Sequence, residues 1–100
     1  MSVVAAVVLS VTGTMASGEK PWIPEKGFVP DSATAIRIAV AVWIPLYGEK
    51  LIAGEKPYRA TLRGDTWTVT GSIPDGFEGG AAIAELSKRD GRILRVIHEQ

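Results

Sequence analysis

From Tyr58 onward, apolar and polar residues alternate in short runs. Tyr58-Arg59-Ala60-Thr61-Leu62-Arg63 alternates cleanly, and Gly64-Asp65 makes a turn. Thr66–Ile73 alternates again, with Trp67, Val69 and Ile73 on one face and hydroxyls on the other. A period of two marks a half-buried strand, and two such runs across a glycine-containing turn predict a hairpin. Pro74–Gly80 reads as a longer loop. Ala81–Ser87 is a third strand, with Ala82, Ala84 and Leu86 facing one way. Lys88-Arg89-Asp90-Gly91 turns the chain, because an Asp-Gly pair tolerates positive φ. Ile93–His98 is a fourth strand, turning inward either Leu94 and Val96 or Ile93 and Ile97.

Ahead of these runs the period changes. Ile36, Val40, Trp43 and Tyr47 recur at spacings of four, three and four, which places them on one face of a helix. Asp31 or Ser32 caps its start, and Gly48 is its stop. Ala35, Ile38, Ala39 and Val42 fill much of the remaining circumference, so the helix is expected to be buried on most sides. Pro45 predicts a kink or an early end near Ile44. The predicted architecture is α+β: one buried helix covering the apolar face of a four-stranded antiparallel meander.

The segments before and after the helix are less regular. Met1–Ser17 carries no charge and holds the apolar block Val3–Val11. Thr14 and Ala16 supply small residues for a cleavage after Ala16, so residues 1–16 read as a signal peptide with a weak positive start. That places the mature protein in the periplasm or outside the cell. The apolar block is too short to span a membrane. Residues 17–26 are a linker, and residues 27–100 the domain. Pro21, Pro24, Gly27 and Pro30 keep the approach extended, with Trp22, Ile23 and Phe28 as its anchoring points. Glu49–Lys56 is a mostly polar, glycine-flanked connection.

Composition narrows the partners. Eleven basic and eleven acidic side chains give zero net charge, which offers no reason to expect nucleic acid or an anionic membrane as partner. The absence of cysteine excludes disulfides, thiol catalysis and Cys-based zinc sites. One hundred residues make one domain with a modest core. An exposed sheet edge allows a homodimer, though nothing specifies one.

No catalytic constellation stands out, and no cofactor or metal is expected. His98 is the only histidine and reads as a surface or edge residue. Asp31, Glu49, Glu55, Asp65, Asp75, Glu78, Glu85 and Asp90 are scattered and read as solvated turns and caps. Gly76-Phe77-Glu78-Gly79-Gly80 lies between strands and opens no helix, so it lacks the logic of a phosphate cradle. Arg63-Gly64-Asp65 is explained by the needs of a tight turn. A binding role therefore leads over an enzymatic one. The candidate contact residues are Arg59, Thr61, Thr68 and Thr70 on the polar sheet face, with Asp75, Phe77 and Glu78 in the glycine-rich loop. A second reading is an extracytoplasmic small-molecule or peptide-binding domain, its pocket between helix and sheet walled by Trp43, Tyr47, Tyr58 and Trp67.

Several local strings carry a resemblance. Gly27-Phe28-Val29-Pro30-Asp31, Ala35-Ile36-Arg37-Ile38-Ala39 and above all Val42-Trp43-Ile44-Pro45-Leu46-Tyr47-Gly48-Glu49 resemble the opening of a family of bacterial NTF2-fold immunity proteins. Glu55-Lys56-Pro57-Tyr58, Asp65–Gly71 and Lys88–Val96 continue it in register. The resemblance implies a truncated NTF2/cystatin-like cone that binds and neutralises a cognate toxin without catalysis. It supplies no catalytic residues. Members of that family often carry an acidic residue where this chain has Val40, a departure that makes the helix more apolar.

Overall fold

The computed structural model describes residues 22–73 and 79–99. The expected signal peptide and the contact residues Asp75, Phe77 and Glu78 lie outside them. Helix α1 spans Ser32–Tyr47 and a short helix α2 spans Glu49–Ala53. Strands β1 (Arg59–Arg63), β2 (Thr66–Thr70), β3 (Ala82–Ser87) and β4 (Ile93–His98) follow. They form one open antiparallel sheet in the order β1-β2-β3-β4, with the helices packed on one face. This is the predicted α+β meander, in keeping with a truncated NTF2-like cone.

Asp31 is the cap of α1. Its carboxylate accepts from the Thr34 amide at 2.8 Å and from the Thr34 hydroxyl at 2.7 Å. Those bonds hold its pKa below the ordinary value of 3.8, the amide bond contributing most. Pro45 removes one helical donor, yet α1 runs on to Tyr47. The Gly48 amide closes it on the Ile44 carbonyl at 2.8 Å, and the positive φ of Gly48 redirects the chain into α2. The Glu49–Lys56 connection is therefore partly helical, which its polar composition hid. Burial of Ile52 holds that turn in place.

The deepest line of α1 is Ala35, Ala39 and Trp43, while Ile36, Val40 and Tyr47 flank it half-buried. Two alanines with a spacing of four let the helix approach the sheet closely, where larger side chains would hold it off. The opposite wall, with Ala33, Arg37, Ala41 and Pro45, is exposed, so α1 is buried on one side and not on most sides.

Val69, Ala82, Ala84 and Leu86 complete the core from the sheet, as their alternation predicts. Ile73 departs from it. β2 ends at Thr70, and Ile73 beyond it is 50% exposed. On β4 a bulge decides between the two inward sets. Glu85 pairs with Arg95 but Leu86 pairs with Ile93, so Leu94 is an extra residue. Val96 and His98 face the core side, opposite Ala84 and Ala82, while Ile93 and Leu94 are both largely exposed.

The approach to α1 is held by Val29, which is buried, and not by its aromatics. Phe28 and Val29 donate backbone bonds to Arg89 and Lys88 carbonyls at 2.9 and 3.0 Å. The Trp67 indole donates to the Val29 carbonyl at 2.8 Å. Trp22 is 73% exposed and Phe28 largely so, the two packed edge to face. Among the described residues, the Trp43 Nε1 is the one buried side-chain polar atom without a partner.

Candidate interaction surface

The uncovered sheet face is built by register. Arg59, Thr70, Ile83 and Ile97 form one row across the four strands. Thr61, Thr68, Glu85 and Arg95 form the next, and Arg63, Thr66 and Ser87 the third. The structure thus brings together Arg59, Thr61, Thr68 and Thr70 on the polar face, as their alternation requires, and adds Arg63, Thr66 and Glu85 to them. Arg63 and Thr66 continue the same alternation and were legible from it.

The face has two shallow depressions. One of about 550 Å³ is lined by Thr61, Arg63, Thr66, Thr68 and Glu85. The other, of about 370 Å³, lies where β1 and β2 pass the start of β3, among Arg59, Thr70, Ser72 and Ile83. Among the described residues the single ion pair on this face joins Arg95 Nη1 to Glu85 Oε2 at 3.1 Å, both ends open to water. Hydroxyls and guanidiniums on a flat, open surface suit hydrogen bonding to another protein and hold no reacting group in a sealed cleft.

The aromatics expected to wall a pocket are used differently. Trp43 is fully buried and Trp67 nearly so, and both belong to the packed core. Trp43 packs against Tyr58 with ring centroids 5.9 Å apart. Tyr58 donates its hydroxyl to the Ile52 carbonyl at 2.8 Å. Desolvation, and secondarily the Glu55 charge, raise its pKa above the ordinary tyrosine value. Tyr47 lies edge-on to the His98 ring at 5.1 Å. These side chains knit helix to sheet.

The least expected feature is Glu55. It is 5% exposed, not a solvated turn residue. Its Oε1 accepts from the Ala82 amide at 2.8 Å, and its Oε2 lies 2.7 Å from His98 Nε2. Its carbonyl accepts from the Ser72 amide at 2.7 Å. His98 is correspondingly part-buried and not a free surface residue. Its Nδ1 faces the Glu99 carbonyl at 3.0 Å. One carboxylate thus ties the chain ahead of β1 to the start of β3 and the end of β4. Gly71 is what admits it: a Cβ there would meet Glu55 Cβ at 2.9 Å and collide with Oε1. The alternation of Thr66–Ile73 passed over Gly71, although a glycine within a strand-like run is a general sign of a close approach.

Chemically this dyad is saturated. Both oxygens of the carboxylate are bonded inside the fold, so it serves as a staple between the chain ahead of β1, β3 and β4. Among the described residues no group of three or more His, Cys, Asp or Glu is placed to hold a metal ion. No described helix is long and apolar enough to cross a membrane.

Comparison with known proteins agrees with this architecture. The chain is 34% identical over 76 residues to the uncharacterized protein YbbC of Escherichia coli strain K12, a match covering 75% of this chain and 62% of that protein. It is 36% identical over 74 residues to the uncharacterized protein YhhH of the same strain, covering 73% and 58%. The chain therefore spans about three fifths of the length of these relatives. No solved structure matches it. The model of the NTF2 fold immunity proteins matches residues 34–100, from the first turn of α1 through β4. With most of its length in that match, the chain belongs to the NTF2 fold immunity protein family.

Proposed function

We propose that this protein binds a cognate bacterial toxin stoichiometrically and neutralises it without catalysis. The family match carries this reading. Two features of the fold support it. The outer sheet face is open, hydroxyl-rich and uncovered by any described helix, as a docking surface requires. The buried Glu55–His98 pair is satisfied internally, which accords with a structural role for it. The action is placed outside the cytoplasm, on the ground of the uncharged apolar start of the chain.

Co-expression with a candidate partner toxin is the test. The expected result is restored growth and a co-purifying complex of fixed stoichiometry. Absence of both rescue and complex overturns the reading. N-terminal sequencing of exported protein tests the location, with a start near Ser17 expected and a start at Met1 against it.

A further inference from the structure

β1 is an edge of the sheet, paired on one side only, with β2. Arg63 and Thr66 close the two-residue Gly64-Asp65 turn. In an antiparallel ladder the residues that flank such a turn bond across it, and every second residue does the same. Arg59, Thr61 and Arg63 therefore spend their backbone groups on β2. The amides and carbonyls of Ala60 and Leu62 point to the open side.

The side chains along this edge are distinctive. Arg59, Thr61 and Arg63 are exposed on the outer face, and Leu62 is 40% exposed on the other. β1 and β2 contain no carboxylate at all. Among the described residues neither Arg59 nor Arg63 takes part in an ion pair, and the one carboxylate on the outer face, Glu85, is held by Arg95. The Cα atoms of Arg59 and Arg63 are four strand residues apart, roughly 13 Å.

The charge pattern also selects the occupant. A second copy adding antiparallel at β1, centred on Thr61, would set Arg59 against Arg63 of the copy, twice over. Like charges directly opposite destabilise a strand pair. The homodimer that an open edge allows is thus disfavoured at this edge, while an acidic strand gains two favourable pairs.

We infer that β1 takes up an extended acidic segment of the toxin as an added strand. Two carboxylates four residues apart lie against Arg59 and Arg63, and an apolar side chain lies beside Leu62. Main-chain bonds to Ala60 and Leu62 supply affinity, and the side chains supply selection. This rests on the toxin-binding reading and names the partner's chemistry.

The test uses a synthetic peptide with glutamates four residues apart among alternating valines, and the same peptide with lysines instead. Added to the full chain, the glutamate peptide is expected to shift the amide signals of Ala60 and Leu62 and to slow their hydrogen exchange. The double variant Arg59→Glu/Arg63→Glu is expected to bind it about tenfold more weakly and to prefer the lysine peptide. Leu62→Pro removes an outward amide and leaves the β2 ladder intact, and is expected to abolish binding. Retained tryptophan near-UV signals show that each variant is folded. Equal response to both peptides, or shifts confined to other strands, would overturn the inference. A toxin complex that forms, protects neither amide and survives the charge reversal would overturn it too, and leave the toxin-binding reading standing.

Discussion

Glu55 and Glu85 each meet a basic side chain of β4, and they do so on opposite faces of the sheet. Glu55 reaches His98 on the core side, where its own exposure is 5%. Glu85 reaches Arg95 on the outer side, where side-chain exposures are 31% and 48%. The inner pair adds a buried backbone bond to Ala82, so neither oxygen is left to water. The outer pair is a surface contact that water and salt screen. The same sheet therefore carries a face packed on the core and a face that no described helix covers. A substitution should reveal which by its cost.

The widest contrast comes from the centre of each face. Trp43→Ala empties the largest fully buried side chain of the core and is expected to cost about 3–5 kcal/mol in urea denaturation. Thr68→Ala, on the outer face, is expected to change stability by no more than about 0.5 kcal/mol. Comparable costs would mean that the outer face is covered in solution and is not the docking surface proposed above.

Next in size is Glu55→Ala. It strands the Ala82 amide in a dry site and deprives His98 of its carboxylate, an expected loss of about 3 kcal/mol. Gly71→Ala should cost about 1–3 kcal/mol by pressing a methyl onto Glu55. The two changes share the same atoms, so the double variant should lose less than the sum. Strict additivity would show that Gly71 is needed for something other than room for this carboxylate.

Most of the fold was legible, and the exceptions have a common cause. Ala82, Ala84 and Leu86 point inward because a period of two leaves them no alternative once one is buried. Local chemistry narrowed the cap of α1 to Asp31 or Ser32 and marked Gly48 as its stop, though Pro45 also suggested an end near Ile44. What alternation misses is a long-range neighbour. Nothing beside Glu55 in the chain tells that Ala82 and His98 will surround it, since both lie far along the sequence. The bulge at Leu94 is equally silent, because an extra residue leaves both apolar patterns on β4 looking acceptable. The outer-face residues Arg59, Thr61, Thr68 and Thr70 were readable for the opposite reason: their neighbours follow from register. Trp43 and Trp67, read as possible pocket walls, are packed in the core, because tryptophan's size serves a core as readily as a ligand wall.

A third carboxylate lies on neither face. Asp31 is exposed, yet its bonds to Thr34 lower its pKa. A depressed carboxyl contributes stability that is complete above its unfolded value near 3.8 and is lost as pH falls through the folded value. Asp31→Asn keeps a good cap. It is expected to match the parent at neutral pH and to show a shallower loss of thermal midpoint below that range. An unchanged acid profile would assign the loss to other carboxyls.

The smallest effect belongs to the exposed pair of Glu85 and Arg95. Glu85→Gln keeps the shape of the side chain and removes its charge. Its expected cost is about 0.2–1 kcal/mol at low salt, because long exposed side chains gain little by pairing. Adding salt to about 1 M shortens the screening length to roughly 3 Å and should bring variant and parent together. The Glu55→Ala deficit should persist under the same salt, since a buried hydrogen bond is not screened from outside. If Glu85→Gln instead cost several kcal/mol and resisted salt, Arg95 and Glu85 would have to be shielded from water. The outer face would then be an internal surface of a larger assembly, and β1 would no longer be its open edge.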